Sequence, residues 1–184
     1  MTTVTEVRTA RRAVRQDPEQ RRRALYHLAS PVSVLTVGHE GAAHGTTAST
    51  VTLVSRKPLL VGVVLRADSS FARLAAAEGR FAINVLSAEQ ADVARHFADS
   101  GRPDGPEQFA GLAWTSDSYA HAPLIAGALA HYTCRFHSAH PAGDSELLLG
   151  HVVRATADEV PPLFSYAGAL FAGSLRPAKE ASAS

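Results

Sequence analysis

Two short stretches of this chain carry side chains that can hold a ligand. In Thr46-Thr47-Ala48-Ser49-Thr50, hydroxyls and small side chains follow Gly45 at the end of an apolar segment. In Asp68-Ser69-Ser70-Phe71, a carboxylate and two hydroxyls stand where a helix begins. The first turn of a helix presents amides without intrahelical partners and the positive end of the dipole, which suits an anion. Together the two stretches form polar cradles able to flank one flat, anionic ligand, although an ordinary helix cap with no ligand is the commoner explanation of the second taken alone.

Other chemistries find less support in the residues. His137 and His140 are three apart, but on a strand they point to opposite faces, and no Cys, Asp or Glu converges on them as a metal site requires. No Gly-x-Ser-x-Gly elbow occurs, which sets aside that serine hydrolase class. Neither Gly-x-Gly-x-x-Gly nor a Walker pattern is present, so any nucleotide would be held outside those two cradles. Asn84, an amide among Phe81, Ile83 and Val85, must find partners, and it serves either the ligand site or the fold.

The elements that must position these residues follow from pattern. Asp17-Pro18-Glu19-Gln20 opens a helix with Ala24, Leu25, Leu28 and Ala29 on one side, ended by Ser30-Pro31. Val32 to Val37 reads as a strand entering a hairpin at Gly38-His39-Glu40-Gly41, with a return strand from about Ala43 to Ser55. Leu59 to Leu65 is an apolar run expected of a strand buried on both faces. Ser69-Ser70 leads a helix with Phe71, Leu74 and Ala75 on one face and Gly79 at its end. Phe81 to Leu86 is a further strand, and Ser87-Ala88-Glu89-Gln90 has capping-box spacing before a helix ending near Phe97. A loop is expected from Ala98 to Gln108, with Trp114 beyond it in the core. A second hairpin spans Ala128–Ala139 and Glu146–Ala157, and a terminal apolar segment runs from Leu163 to Leu175.

Composition bounds the setting. At 184 residues the chain suits one domain, expected over residues 17–176, with a flexible Arg-rich arm at 1–16 and a polar tail at 177–184. A net charge of +1 gives no global argument for nucleic acid or membrane. Seven of the 18 Lys and Arg residues fall before residue 24, a local excess able to touch an acidic partner, although a solvated tail and helix face is the commoner explanation. No apolar run of roughly 18 residues is present to span a membrane. One cysteine, Cys134, excludes an internal disulfide and fits a reducing cytoplasm.

An ordered series of motifs over residues 19–153 resembles the short-chain flavin reductase family. The series comprises Pro31-Val32-Ser33-Val34-Leu35-Thr36, His44-Gly45-Thr46-Thr47-Ala48-Ser49-Thr50, Ser55-Arg56-Lys57-Pro58-Leu59-Leu60 and Ser69-Ser70-Phe71. Gly79-Arg80-Phe81-Ala82-Ile83-Asn84-Val85-Leu86, Phe109-Ala110-Gly111-Leu112-Ala113-Trp114, Pro123-Leu124-Ile125, Cys134-Arg135 and Gly143-Asp144 complete it. The resemblance implies a mainly β fold with flanking helices, the FMN-binding split β-barrel, assembled as a homodimer with flavin near the subunit interface. It also implies FMN or FAD as cofactor, with NADH or NADPH as hydride donor. Thr46, Thr47, Ala48, Ser49 and Thr50 would line the flavin ring or ribityl chain, Val64 and Leu65 would pass near the ring, and Ser69, Ser70 and Phe71 would surround the phosphate. Asn84 would help to hold that site.

The sequence departs from the family pattern on the nicotinamide side. Ser145 follows Gly143-Asp144 where many members carry histidine, and Ser165, Ala167 and Leu170 replace an aromatic and Arg-rich segment. Ser145 and Tyr166 are the residues left to meet a nicotinamide or other substrate there. Three functions follow: a reductase supplying reduced flavin to a partner monooxygenase, an enzyme that retains its flavin and acts directly on a small molecule, or a non-catalytic binding module using the Arg-rich arm.

Overall fold

The computed structural model describes residues 17–25, 27–173 and 175. The expected arm at 1–16 and tail at 177–184 lie outside them. In chain order the helices are α1 (Pro18–Leu25), α2 (Ser70–Glu78) and α3 (Ala91–Ala98). The first strands are β1 (Ser30–Pro31), β2 (Ser33–His39), β3 (Ala42–Ala48), β4 (Thr52–Arg56), β5 (Leu59–Arg66) and β6 (Arg80–Val85). They are followed by β7 (Trp114–Ser116), β8 (Pro123–Ile125), β9 (Ala130–Ala142), β10 (Ser145–Ala157), β11 (Leu163–Tyr166) and β12 (Ala169–Ala172).

Seven strands make one antiparallel sheet in the order β3-β2-β6-β9-β10-β5-β4. Its two edges, β3 and β4, are consecutive in the chain, so residues 49–51 carry the backbone from one edge to the other. Thr50 bridges the gap: its hydroxyl donates to the Val64 carbonyl (2.9 Å) and accepts the Val64 amide (3.0 Å). One side chain thus extends the β4–β5 pairing by a rung beyond Thr52 and Gly62. The result is a split barrel, mainly β with flanking helices.

Inside it pack Leu35, Val37, Val63, Phe71, Phe81, Ile83, Cys134 and Leu148, all at or near zero exposure. A second cluster of Val32, Val34, Leu86, Phe97, Phe109, Ile125 and Leu163 joins the outer face of β2 to α3 and the terminal hairpin. That hairpin, β11 with β12, pairs with β1 as a small sheet of its own. No helix among the described residues is long and apolar enough to cross a membrane.

Several local signals fold as their residues dictate. Ser69 caps α2, accepting the Ala72 amide at 3.4 Å, and Gly79 closes it at φ 68°. Gln90 Oε1 accepts the Ser87 amide at 3.1 Å, opening the 3-10 turn that leads into α3. Glu40 and Gly41, both at positive φ, make the tight turn between β2 and β3.

Other expectations are corrected. The return strand expected from Ala43 to Ser55 breaks after Ala48, and β4 pairs with β5 rather than with β2. Strand β5 is buried on both faces only from Leu60 to Val63, since Leu59 at its start and Val64 near its end are exposed. Helix α1 ends at Leu25, before Ser30-Pro31, and buries none of its residues. The stretch 98–108 includes part of a 3-10 turn, Gly105–Phe109. Trp114 is 41% exposed, resting on Phe109 rather than entering the core.

Candidate functional site

The break between β3 and β4 opens a cleft of about 500 Å³. Thr46, Thr47, Ala48, Ser49 and Thr50 line one side, Val64 and Leu65 the floor, and Ser69 and Ser70 the end at the α2 N-terminus. The strand break brings the two sequence cradles together, because the chain must cross the barrel at this point and β5 leads directly into the turn before α2.

The hydroxyls differ in what they already hold. Thr50 is engaged with Val64 on both sides. Thr47 Oγ1 donates to the Ala94 carbonyl at 2.7 Å and ties α3 to β3. Ser69 Oγ caps its helix, and Ser70 Oγ accepts from Arg73 at 3.1 Å. Thr46, Ser49 and Ser100 have no such bond among the described residues, and all three border the cleft. They are the hydroxyls free to meet a ligand.

Two proposed residues lie elsewhere. The Phe71 side chain is fully buried and meets Phe81 edge-on at 5.8 Å between ring centroids. Being second in α2, it turns inward and leaves only its backbone at the helix start. Asn84 is likewise fully buried: Nδ2 donates to the Val34 carbonyl (3.1 Å), Thr36 Oγ1 (3.2 Å) and the Pro123 carbonyl (3.3 Å), and Oδ1 accepts the Ile125 amide (2.8 Å). It joins β6 to β2 and β8, so its role is in the fold and not at the cleft.

Asp68 lines the cleft with the hydroxyls that follow it, and so do His44, Arg66, Ser100 and Arg102, which the sequence reading missed. Arg102 is the most informative. Its Nη2 donates to the Gly45 carbonyl (2.7 Å) and its Nη1 to the Asp99 carbonyl (2.8 Å), while its buried Nε has no partner. No carboxylate pairs with this guanidinium among the described residues, so a fixed, uncompensated cation stands beside the hydroxyls. Its effect is felt at His44, whose pKa is pushed down by burial and then by Arg102, against an opposing pull from Asp104, with Arg73 adding least. Arg66 is occupied differently, in a two-point pair with Asp68 at 3.0 Å on each contact. Only the loop position of Ser100 and Arg102 hinted at function, since polar residues in loops often carry it.

A second lobe of about 420 Å³ continues from the first, sharing Thr46, Thr47, Ser49, Arg66, Ser100 and Arg102. Its far wall is Val32, Phe97, Ser165 and Leu170. Ser165 and Leu170, which replace larger residues of the resembled pattern, therefore face the continuation of the cleft. Tyr166 does not: it faces His27, with Nδ1 and Oη 3.1 Å apart, and Phe171. Ser145 is also outside, donating to its neighbour Asp144 at 3.0 Å. Among the described residues no three His, Cys, Asp or Glu side chains group as metal ligands.

The donor set suits a flavin phosphate. It offers an unpaired cation, free hydroxyls and the dipole end of a nine-residue helix around an apolar floor of Ala48 and Leu65.

The model of the flavin reductase like domain matches residues 25–174. An NADH-dependent FAD reductase of Streptomyces globisporus is 40% identical over 141 residues, 77% of each chain. The reductase component of a 4-nitrophenol 4-monooxygenase/4-nitrocatechol 2-monooxygenase from Rhodococcus opacus is 32% identical over 83% of this chain and 79% of its own. Among solved structures, the flavin reductase component of a bacterial two-component tryptophan halogenase superposes with a TM-score of 0.81. That match has 32% identity and covers 87% of this chain and all of the other.

Proposed function

The chain belongs to the flavin reductase-like family, and from that premise we propose that it reduces FMN or FAD with NADH or NADPH and hands the reduced flavin to a separate monooxygenase. The observation that carries this reading is the two-lobed cleft around Arg102: one lobe holds the flavin, and the other, walled by Ser165 and Leu170, admits the nicotinamide. The relatives named as reductase components of two-component systems support the hand-over.

A bound flavin supplies the hydride acceptor, so the protein needs to orient and stack rather than to donate a proton. Thr46, Ser49 and Ser100 offer hydrogen bonds to the ring edge and ribityl hydroxyls. Ala48 and Leu65 give an apolar bed, and Thr50 fixes that bed by clamping Val64. Ser69, Ser70, the first-turn amides of α2 and Arg102 hold the phosphate. In this reading Ser145 and Tyr166 do not touch the nicotinamide.

The protein works as a homodimer. Val54 and Val64 are exposed on the same face of β4 and β5, over Gly62 and beside Leu147 and Leu149, and Val64 also borders the cleft, so covering this face brings the subunit boundary to the flavin. Light scattering after size exclusion tests it, with Val54→Glu expected to give monomers. The lone Cys134 is in keeping with work in the reducing cytoplasm.

The decisive test is the visible spectrum of the purified protein with FMN or FAD, followed by anaerobic addition of NADH or NADPH. A perturbed flavin spectrum that bleaches within the mixing time of a turnover is expected. Flavin binding without rapid bleaching would overturn the reductase reading and point to an enzyme that retains its flavin for another substrate.

A further inference from the structure

Strand β3 has the flavin cleft at one end and another cavity, of about 500 Å³, at the other. Ala43 of one adjoins His44 of the other, but the two linings share no residue, so the cavities are distinct. The second cavity is bounded by the β2–β3 turn, Arg80, Phe109, Trp114 and His121.

Trp114, the one tryptophan of the chain, lies partly open on this wall, with its ring 5.9 Å from that of buried Phe109. Arg80 lies on the same wall with Nη1 on the Tyr119 carbonyl at 3.1 Å and with no carboxylate partner among the described residues. Of the two acids in the wall, Glu78 is taken by His39 at 2.7 Å, and Glu40 is strongly exposed at the turn. The cavity thus offers an aromatic surface and an arginine with no direct carboxylate partner, with Glu78 and Glu40 gathered around His39 instead.

Its wall is built in advance. His121 sits at φ 51°, a costly conformation for a residue with a side chain. The Asp117 carboxylate holds the preceding turn through the amides of Tyr119 and Ala120, and the His121 amide donates to the Asp117 carbonyl at 2.9 Å. Gly38 permits the approach, since a Cβ there would collide with the His121 carbonyl oxygen.

We propose that this cavity is a second small-molecule site, for a single-ring aromatic carboxylate whose ring lies against Trp114 and whose carboxylate meets Arg80. A charged donor gives a carboxylate its stronger hydrogen bonds, and the indole face favours a flat ring over a saturated one.

Because Trp114 is the only tryptophan, its fluorescence reports on this cavity directly. Phenylacetate titrated into the flavin-free protein should change the emission saturably, and phenylacetamide and cyclohexylacetate should bind roughly tenfold or more weakly. FMN at saturation should not displace phenylacetate, as followed by saturation-transfer NMR of the phenylacetate protons. Arg80→Gln should lose the phenylacetate response while still binding FMN, which shows that it is folded. Trp114→Leu, at an exposed position, should weaken binding in the same NMR experiment. The proposal is overturned by the absence of a saturable response, by equal binding of the amide, by unchanged binding in either variant, or by displacement with FMN.

Discussion

Replacing Arg102 with Gln separates phosphate recognition from every other contribution to flavin binding. The guanidinium is anchored on Gly45 and Asp99 and has no acidic partner among the described residues, so its charge is directed at whatever anion enters the cleft. A hydrogen bond to a charged group contributes about 1.5–3 kcal/mol, so FMN should bind roughly ten- to a hundredfold more weakly to the variant. Riboflavin, which lacks the phosphate, should bind the two proteins within about threefold of one another. Flavin fluorescence titration gives both constants. Raising the salt concentration should weaken FMN binding to the wild type more than to the variant, because exposed charges are screened. Loss of the donor to the buried Gly45 carbonyl should also lower stability by about 1 kcal/mol, which thermal unfolding reads separately. An equal loss of FMN and riboflavin would refute the argument, showing that Arg102 merely props β3, as would unchanged FMN affinity.

The remaining expectations concern the frame around the cleft. Gly45→Ala would place a Cβ 2.5 Å from Phe97 Cε1, and overpacking of this kind costs about 1–3 kcal/mol, measurable by urea unfolding. Asn84→Leu should cost about 3 kcal/mol by stranding the Ile125 amide and the carbonyls it serves, with no selective loss of flavin phosphate recognition in whatever protein remains folded. Burial works to raise the Asp117 pKa, but the amides of Ala120 and Tyr119, the Thr133 hydroxyl and Arg154 outweigh it and hold it low. Its contribution is complete above the ordinary carboxylate value and disappears as the pH falls through the depressed one. Unfolding followed below about pH 4 should therefore show a loss that Asp117→Asn lacks. His44, held below the usual imidazole value, makes stability fall as pH drops below about 6.5 until the folded imidazole itself protonates. If phosphate binds beside it, proton NMR should show the His44 pKa rising with FMN and not with riboflavin.

Local chemistry made much of this legible. Ser69, Gly79 and the Ser87–Gln90 pair act through neighbours a few residues away, and their sequence spacing sufficed to locate α2 and the start of α3. The hydroxyl run at 46–50 marked one wall of the cleft, but its threonines and valines read as a continuous strand. Nothing local announces that the chain changes sheet edge there, because that depends on where β5 lies. Asn84 is ambiguous in sequence for the same reason: its four partners come from β2 and from residues 123–125. Phe71 and Tyr166 were misplaced by a single position of rotation, one around a helix and one across a strand, which a motif alone does not fix. Arg102 lies in a loop without periodicity and matters only because residues 99–109 fold back over β3.

Those residues also settle how β3 meets other molecules. The strand is an open sheet edge, and such edges invite pairing with strands of neighbouring chains. At Gly45 the outward amide is taken by Gln108 Oε1 at 2.9 Å and the carbonyl by Arg102. A passing extended peptide therefore finds no free pair of groups at that rung. The loop that presents a cation to the cleft is also a guard against edge-to-edge aggregation, so variants chosen to loosen flavin binding at Arg102 should be harder to keep in solution when concentrated.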